Sequence, residues 1–145
     1  MVMKMYENLT RLIDALEVDD IGEWIIDEKS KGTYDAPIQM PFVRYTNAVK
    51  DLAREIYDFS KKYPEYKLNK YRDILDEHGI ELKSDSIKAA DVSVADGQLV
   101  MALLMSVIRM DRFCEGALLG FCKDGYIFMW LKRLKEIDEG YEKRH

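Results

Sequence analysis

The chain has few of the residues on which most recognisable chemistry depends. Among 145 residues there are two histidines, two cysteines and three prolines. His78 and His145 form no H-x-x-x-H pair and the cysteines no C-x-x-C, so the common zinc-ligand spacings are missing. An EF-hand loop, a G-x-G-x-x-G turn and a G-x-x-x-x-G-K-[ST] loop are missing too, which leaves no cradle of known pattern for calcium or a nucleotide phosphate. No metal or cofactor is expected. Cys114 and Cys122 cannot build a disulfide framework. On one continuous helix they would lie ~12 Å apart, too far to bridge. Buried or half-buried thiols in a reducing compartment are expected.

Long apolar runs are also missing. The longest, Leu99 to Ile108, is about half of the ~20 residues needed to cross a bilayer. The opening MVMKMYENLT has neither a sustained apolar region nor a small-residue cleavage site, so a secretory signal is not expected and the cytoplasm is the expected compartment. Nor is there a basic excess: the net charge is −5, which argues against a general nucleic-acid binder. With 48% hydrophobic and 34% charged residues the composition is that of a globular chain. Its length suits one domain around one core.

What is present is helical patterning, centred on the stretch from Ser93 to Leu134. Between Leu99 and Ile108 only Ser106 is polar, so a helix here is apolar on every face and should be surrounded by others. Ser93 is its expected N-cap and Met110 its approximate end. A first helix is predicted over Lys4 to Leu16, with Met5, Leu9, Leu12, Ile13 and Leu16 on one stripe. Another is predicted over Tyr45 to Lys61, capped by Thr46 or Asn47 and stopped by Tyr63-Pro64. A short helix over Lys70 to His78 should close at Gly79, with His78 at its C-terminal end. Residues 80 to 92 read as a connector. Beyond the central helix, Phe113 to Lys123 and Tyr126 to Glu139 are predicted helices, the latter ended by Gly140 and followed by a loose tail. Gly22 to Ile26 and Thr33 to Met40 read as the arms of a β-hairpin around Asp27 to Gly32, anchored on the helices by Trp24. Pro37 and Pro41 would confine its second arm to an edge or make it an extended segment. The expected fold is a mainly α bundle of five to six helices with this hairpin near residues 22–40.

One constellation invites chemistry. Arg109, Asp111, Arg112 and Glu115 follow directly on the apolar helix. The two arginines are three residues apart and the two acids four, so each pair shares a helix face. Arginine forks suit carboxylate or phosphate, and paired acids suit proton transfer. The preferred reading is a structural ion-pair network that ties down the corner; the rival is a small-molecule or nucleotide-handling enzyme whose pocket these four line, closed by Trp24 or Tyr45. A second candidate is KKYPEYKLNKYR, residues 61–72, whose lysines and tyrosines could contact nucleic acid. A solvated connection with its tyrosines over the core edge is preferred. No nucleophile–base pair is visible, so no catalytic residue is assigned.

Arg109-Met110-Asp111-Arg112-Phe113-Cys114-Glu115-Gly116, then Gly125-Tyr126-Ile127 and Leu131-Lys132-Arg133-Leu134, resemble the C-terminal signature R-x-D-R-F-x-E-G, G-x-I, L-x-R-L of a family of small bacterial proteins known only as a domain of unknown function. Gly22-Glu23-Trp24 and Met40-Pro41-Phe42-Val43 resemble its N-terminal half. The resemblance implies a bacterial or phage protein and brings no activity with it. Together these readings point to a non-catalytic interaction module. Its expected partner is itself, as a homodimer, or another protein, through an apolar surface left by Trp24, Tyr34, Phe42 and Trp130 with the Met-rich helix. A small molecule is the alternative ligand, and neither a membrane nor nucleic acid is the expected partner.

Overall fold

The apolar stretch does form the central helix. The computed structural model describes residues 5–16, 21–26 and 41–143 of the chain, and everything below concerns these. The central helix, α6, spans Gly97–Asp111. Every residue from Leu99 to Ile108 is buried, and Val100 to Leu104 are wholly so. Each large side chain enclosed in this way contributes about 1.5–3 kcal/mol relative to exposure. Ser106, the one polar residue of the run, donates its hydroxyl to the Leu103 carbonyl at 2.7 Å and so adds no unpaired group to the core. The cap lies later than expected. Asp96, not Ser93, accepts the Leu99 amide at 2.9 Å. Ser93 is held instead by Asp91, which accepts from both its amide and its hydroxyl.

The other helices wrap this rod. The stripe expected of a first helix is present, but the helix is broken into α1 (Glu7–Thr10) and α2 (Ile13–Leu16). Leu9, Ile13 and Leu16 are buried, whereas Met5 is exposed. Lys4 and the stop expected at Val18 to Asp20 lie outside the described residues. Helix α3 spans Asn47–Lys62 and buries Val49, Leu52, Ile56 and Phe59. Thr46 occupies its N-cap position but donates its hydroxyl to the Ile21 carbonyl at 3.0 Å. After Tyr63 come two 3-10 turns, Pro64–Tyr66 and Leu68–Lys70, and then α4 (Tyr71–Glu77). His78 follows as its C-cap, and Gly79 turns the chain with φ +70°. The expected connector contains a short helix, α5 (Ser84–Ala89). Its only buried residue is Ile87, and one apolar position sets no period.

Two further corrections fall in the C-terminal part. Helix α7 covers Ala117–Lys123 only; Phe113 to Glu115 form a turn, and Gly116 takes φ +89°. Helix α8 spans Tyr126–Lys143, so Gly140 lies inside it and does not end it. The stretch expected as a tail is helical as far as Lys143, and residues 144–145 lie outside the described residues. Ile127, Trp130, Leu131 and Leu134 are buried as expected. One cluster of buried side chains runs from Tyr6 to Leu134.

The short hairpin is an antiparallel pair of β1 (Gly22–Ile25) and β2 (Phe42–Tyr45). Among the described residues the strand paired with β1 is thus the one that begins just after Pro41. Proline cannot donate to a ladder, and Phe42-Val43-Arg44-Tyr45 alternates as a half-buried strand should. The loop expected over Asp27 to Gly32 and the arm over Thr33 to Met40 lie outside the described residues. The register pairs Gly22 with Tyr45, Glu23 with Arg44, Trp24 with Val43 and Ile25 with Phe42. Trp24, Val43 and Tyr45 therefore share one face, with Val43 buried and Tyr45 half-buried. The other face carries the exposed Glu23–Arg44 ion pair.

Candidate functional site

The signature residues after α6 serve chiefly to seat the hairpin on the bundle. Gly116, at the N-cap of α7, has no side chain with which to cap that helix. Asp111 reaches forward from the end of α6 and accepts the Leu118 amide at 3.0 Å. The same carboxylate oxygen accepts the Tyr45 hydroxyl at 2.9 Å, and the Tyr45 oxygen accepts the Leu119 amide at 3.1 Å. Between them, one residue of α6 and one of β2 satisfy two of the amides that every helix N-terminus leaves free. Glu115 accepts the Val43 amide at 2.7 Å. Ile21 and Thr46 form the hydrogen-bonded pair at the base of the hairpin. Counting from there, Val43 turns its amide away from β1. Glu115 thus covers the free edge of β2.

Trp24 completes the junction from the other strand. Its ring lies against Gly116, where an added Cβ would come within 2.3 Å of the ring carbon Cζ2. The anchor is real but shallow, since Trp24 is 45% exposed. Ile26, Phe42 and Phe113 are also exposed, Phe113 to 83%, with Phe42 on the opposite face of the hairpin from Trp24.

The four charged residues do not pair with one another. Among the described residues no ion pair joins Arg109 or Arg112 to Asp111 or Glu115. The corner is tied down by acid-to-backbone and acid-to-hydroxyl bonds, not by the expected network. The Arg112 guanidinium lies 5.6 Å from the centre of the Tyr57 ring on α3. Arg109 Nε is buried without a hydrogen-bond partner. The structure thus brings Asp111, Glu115 and Trp24 to one junction with Tyr45, and turns Arg112 toward α3. Gly116, Val43 and Tyr57 complete the arrangement. Of these three, Gly116 and Val43 lie within the stretches that resemble the family, and Tyr57 does not.

Burial dominates the electrostatics here. It raises the Tyr45 hydroxyl well above its ordinary pKa, and the hydrogen bond to Asp111 raises it further. The Cys122 thiol is pushed up to about 12, first by burial and then by the charge of Asp111. Cys122 is an unreactive core thiol on that account. Cys114 is free and exposed.

Residues 61–72 use their tyrosines inward. Tyr63 and Tyr66 pack on Phe59 with ring centres 4.6 and 5.0 Å away, and the Tyr66 and Tyr6 hydroxyls meet at 2.6 Å. Lys61, Lys62, Lys67 and Lys70 remain exposed. A cleft of about 500 Å³ opens at the other end of α6, among His78, Ile80, Ser86, Asp91, Val94 and Leu99. Among the described residues no group of three or more His, Cys, Asp and Glu is placed to hold a metal ion. No helix there is long and apolar enough to cross a membrane.

Fold and junction together define a mainly helical protein whose terminal turn is clasped by a two-stranded sheet. The chain matches over residues 1–140 the family described as Family of unknown function (DUF6508), and belongs to it. It matches no curated protein and no solved structure.

Proposed function

We propose that this is a non-catalytic binding module that contacts a second copy of itself through the junction of hairpin and turn. The observation that carries this reading is the engagement of both acids. Asp111 accepts two hydrogen bonds and Glu115 one, from groups of the protein itself. Acids held this way support the seating of a surface more readily than the transfer of a proton. Trp24 and Phe42 on opposite faces of the hairpin, Ile26 just beyond β1 and Phe113 in the turn after α6 are all exposed. Aromatic residues with an arginine beside them are the composition enriched at protein contacts, and a two-fold pairing uses one such patch twice. The same reading takes the chain as one folding unit of a bacterial or phage cytoplasmic protein, on the strength of its signature and its few cysteines.

Light scattering on the purified chain at high micromolar concentration tests it. A dimer that Phe113→Asp converts to monomer, at unchanged melting temperature, is the expected result. A wild-type chain that stays monomeric, or a dimer indifferent to Phe113→Asp and Trp24→Ala alike, rejects the assignment.

A further inference from the structure

We infer that Arg109, Arg112 and Tyr57 form a binding site for one oxyanion group, a phosphate or a carboxylate, at the C-terminal end of α6. The two arginines are three residues apart and so stand on one side of the helix. Arg112 brings that side against α3, its guanidinium 5.6 Å from the Tyr57 ring centre. Two buried donors here, Arg109 Nε and Tyr57 Oη, have no hydrogen-bond partner. Folded proteins leave few such atoms. The third of the kind, Trp130 Nε1, sits among the rings of Phe121 and Tyr126. Tyr57 on α3 instead carries the exposed Arg112 guanidinium over its ring, and Arg109 lies one turn before Arg112 in the chain. A set of groups that can all donate, with two fixed positive charges among them, matches a ligand that can only accept.

Charge favours the same assignment. The acids nearest in sequence face elsewhere, Asp111 toward Tyr45 and Leu118, Glu115 toward Val43. Neither arginine forms an ion pair among the described residues. The carbonyl end of a helix carries partial negative charge, which opposes an anion. Here the Arg109 carbonyl already accepts the Arg112 amide, and the Met110 carbonyl accepts the amides of Phe113 and Cys114. Two whole positive charges outweigh what is left. The site is independent of the self-association proposed above, since a monomer can hold an anion equally well.

Titration of the full chain with inorganic phosphate, with succinate, and with chloride at matched ionic strength tests it, read by the arginine Nε–Hε resonances in NMR. A saturable shift of the Arg109 resonance with phosphate alone identifies a phosphate site; with succinate alone, a carboxylate site. Arg112→Gln, at an exposed position, and Tyr57→Phe should each weaken binding roughly tenfold, with the melting temperature in chloride nearly unchanged. Absence of a saturable shift with either anion in the wild-type chain overturns the inference, and so does binding that survives intact in both variants.

Discussion

The Trp24 ring rests against Gly116 so closely that a methyl group at that α-carbon would lie 2.3 Å from Cζ2. Gly116 also takes φ +89°, a conformation that costs an alanine ~1–2 kcal/mol. Gly116→Ala must therefore meet two penalties, the backbone strain and the displacement of the ring. We expect a loss of roughly 2–4 kcal/mol and a red shift of tryptophan emission as Trp24 moves into water. A double-mutant cycle separates the two terms. In a Trp24→Ala background only the backbone strain remains, so the cost of Gly116→Ala should fall by half or more. An equal cost in both backgrounds would show that the ring contact has no part in it.

Asp111 and Tyr45 form the second coupled pair of the junction. Asp111→Ala leaves the Tyr45 hydroxyl and the Leu118 amide without their acceptor, at about 1–3 kcal/mol for each group that water cannot reach. Asp111→Asn keeps an acceptor oxygen and should lose less than half as much. Tyr45→Phe removes one of the two donors, so Asp111→Ala should cost less in that background. Denaturant unfolding of the four chains checks this. Strict additivity would disprove the coupling.

How much of this was legible in the sequence depends on what each contact is made of. The central helix was readable because its apolar run leaves only a buried position, and α8 because its inward stripe repeats without interruption. The break between α1 and α2 was not, because a two-residue turn leaves the spacing of Leu9, Ile13 and Leu16 almost intact. The cluster after α6 stood out by its charges, yet its pairing was misread. Asp111 and Glu115 take as partners the amides of Leu118 and Val43, and backbone groups have no residue identity for a pattern to reveal. Opposite charges close in sequence suggested each other, and the fold sent them elsewhere.

Gly97 provides a case in which two rules compete. As the first residue of α6 it would gain up to about 1 kcal/mol from replacement by alanine on helix propensity alone. The added Cβ, however, would lie 1.7 Å from the Tyr6 hydroxyl. That hydroxyl is bonded to Tyr66 at 2.6 Å, and the Tyr6 amide is bonded to Asp138 at 3.1 Å, so Tyr6 cannot simply swing aside. Overpacking of this sort costs about 1–3 kcal/mol. The clash should therefore win, and Gly97→Ala should lower the melting temperature. A stabilised Gly97→Ala chain would mean that Tyr6 yields without cost.

Stability should fall on the alkaline side. Tyr6, Tyr45 and Tyr66 are all raised above 10.0, chiefly by burial, and the Cys122 thiol rises from 9.0 to about 12. For each, the folded state holds its proton at a pH where the unfolded chain has released it. The stabilisation is whole below the unfolded value, near 9 for the thiol and 10 for the tyrosines, and is lost as pH rises toward the folded ones. Melting temperature should hold level from neutral pH to about 9 and then decline, more steeply above about 10. Cys122→Ala should delay the onset of the decline, and Tyr45→Phe should reduce its slope above about 10 by up to one proton's share, although both variants begin less stable at neutral pH. The contrast between slope and starting point is what makes the measurement decisive. If Tyr45→Phe lowers the whole curve and leaves its alkaline slope untouched, the Tyr45 hydroxyl titrates alike in both states and is not the enclosed group described here.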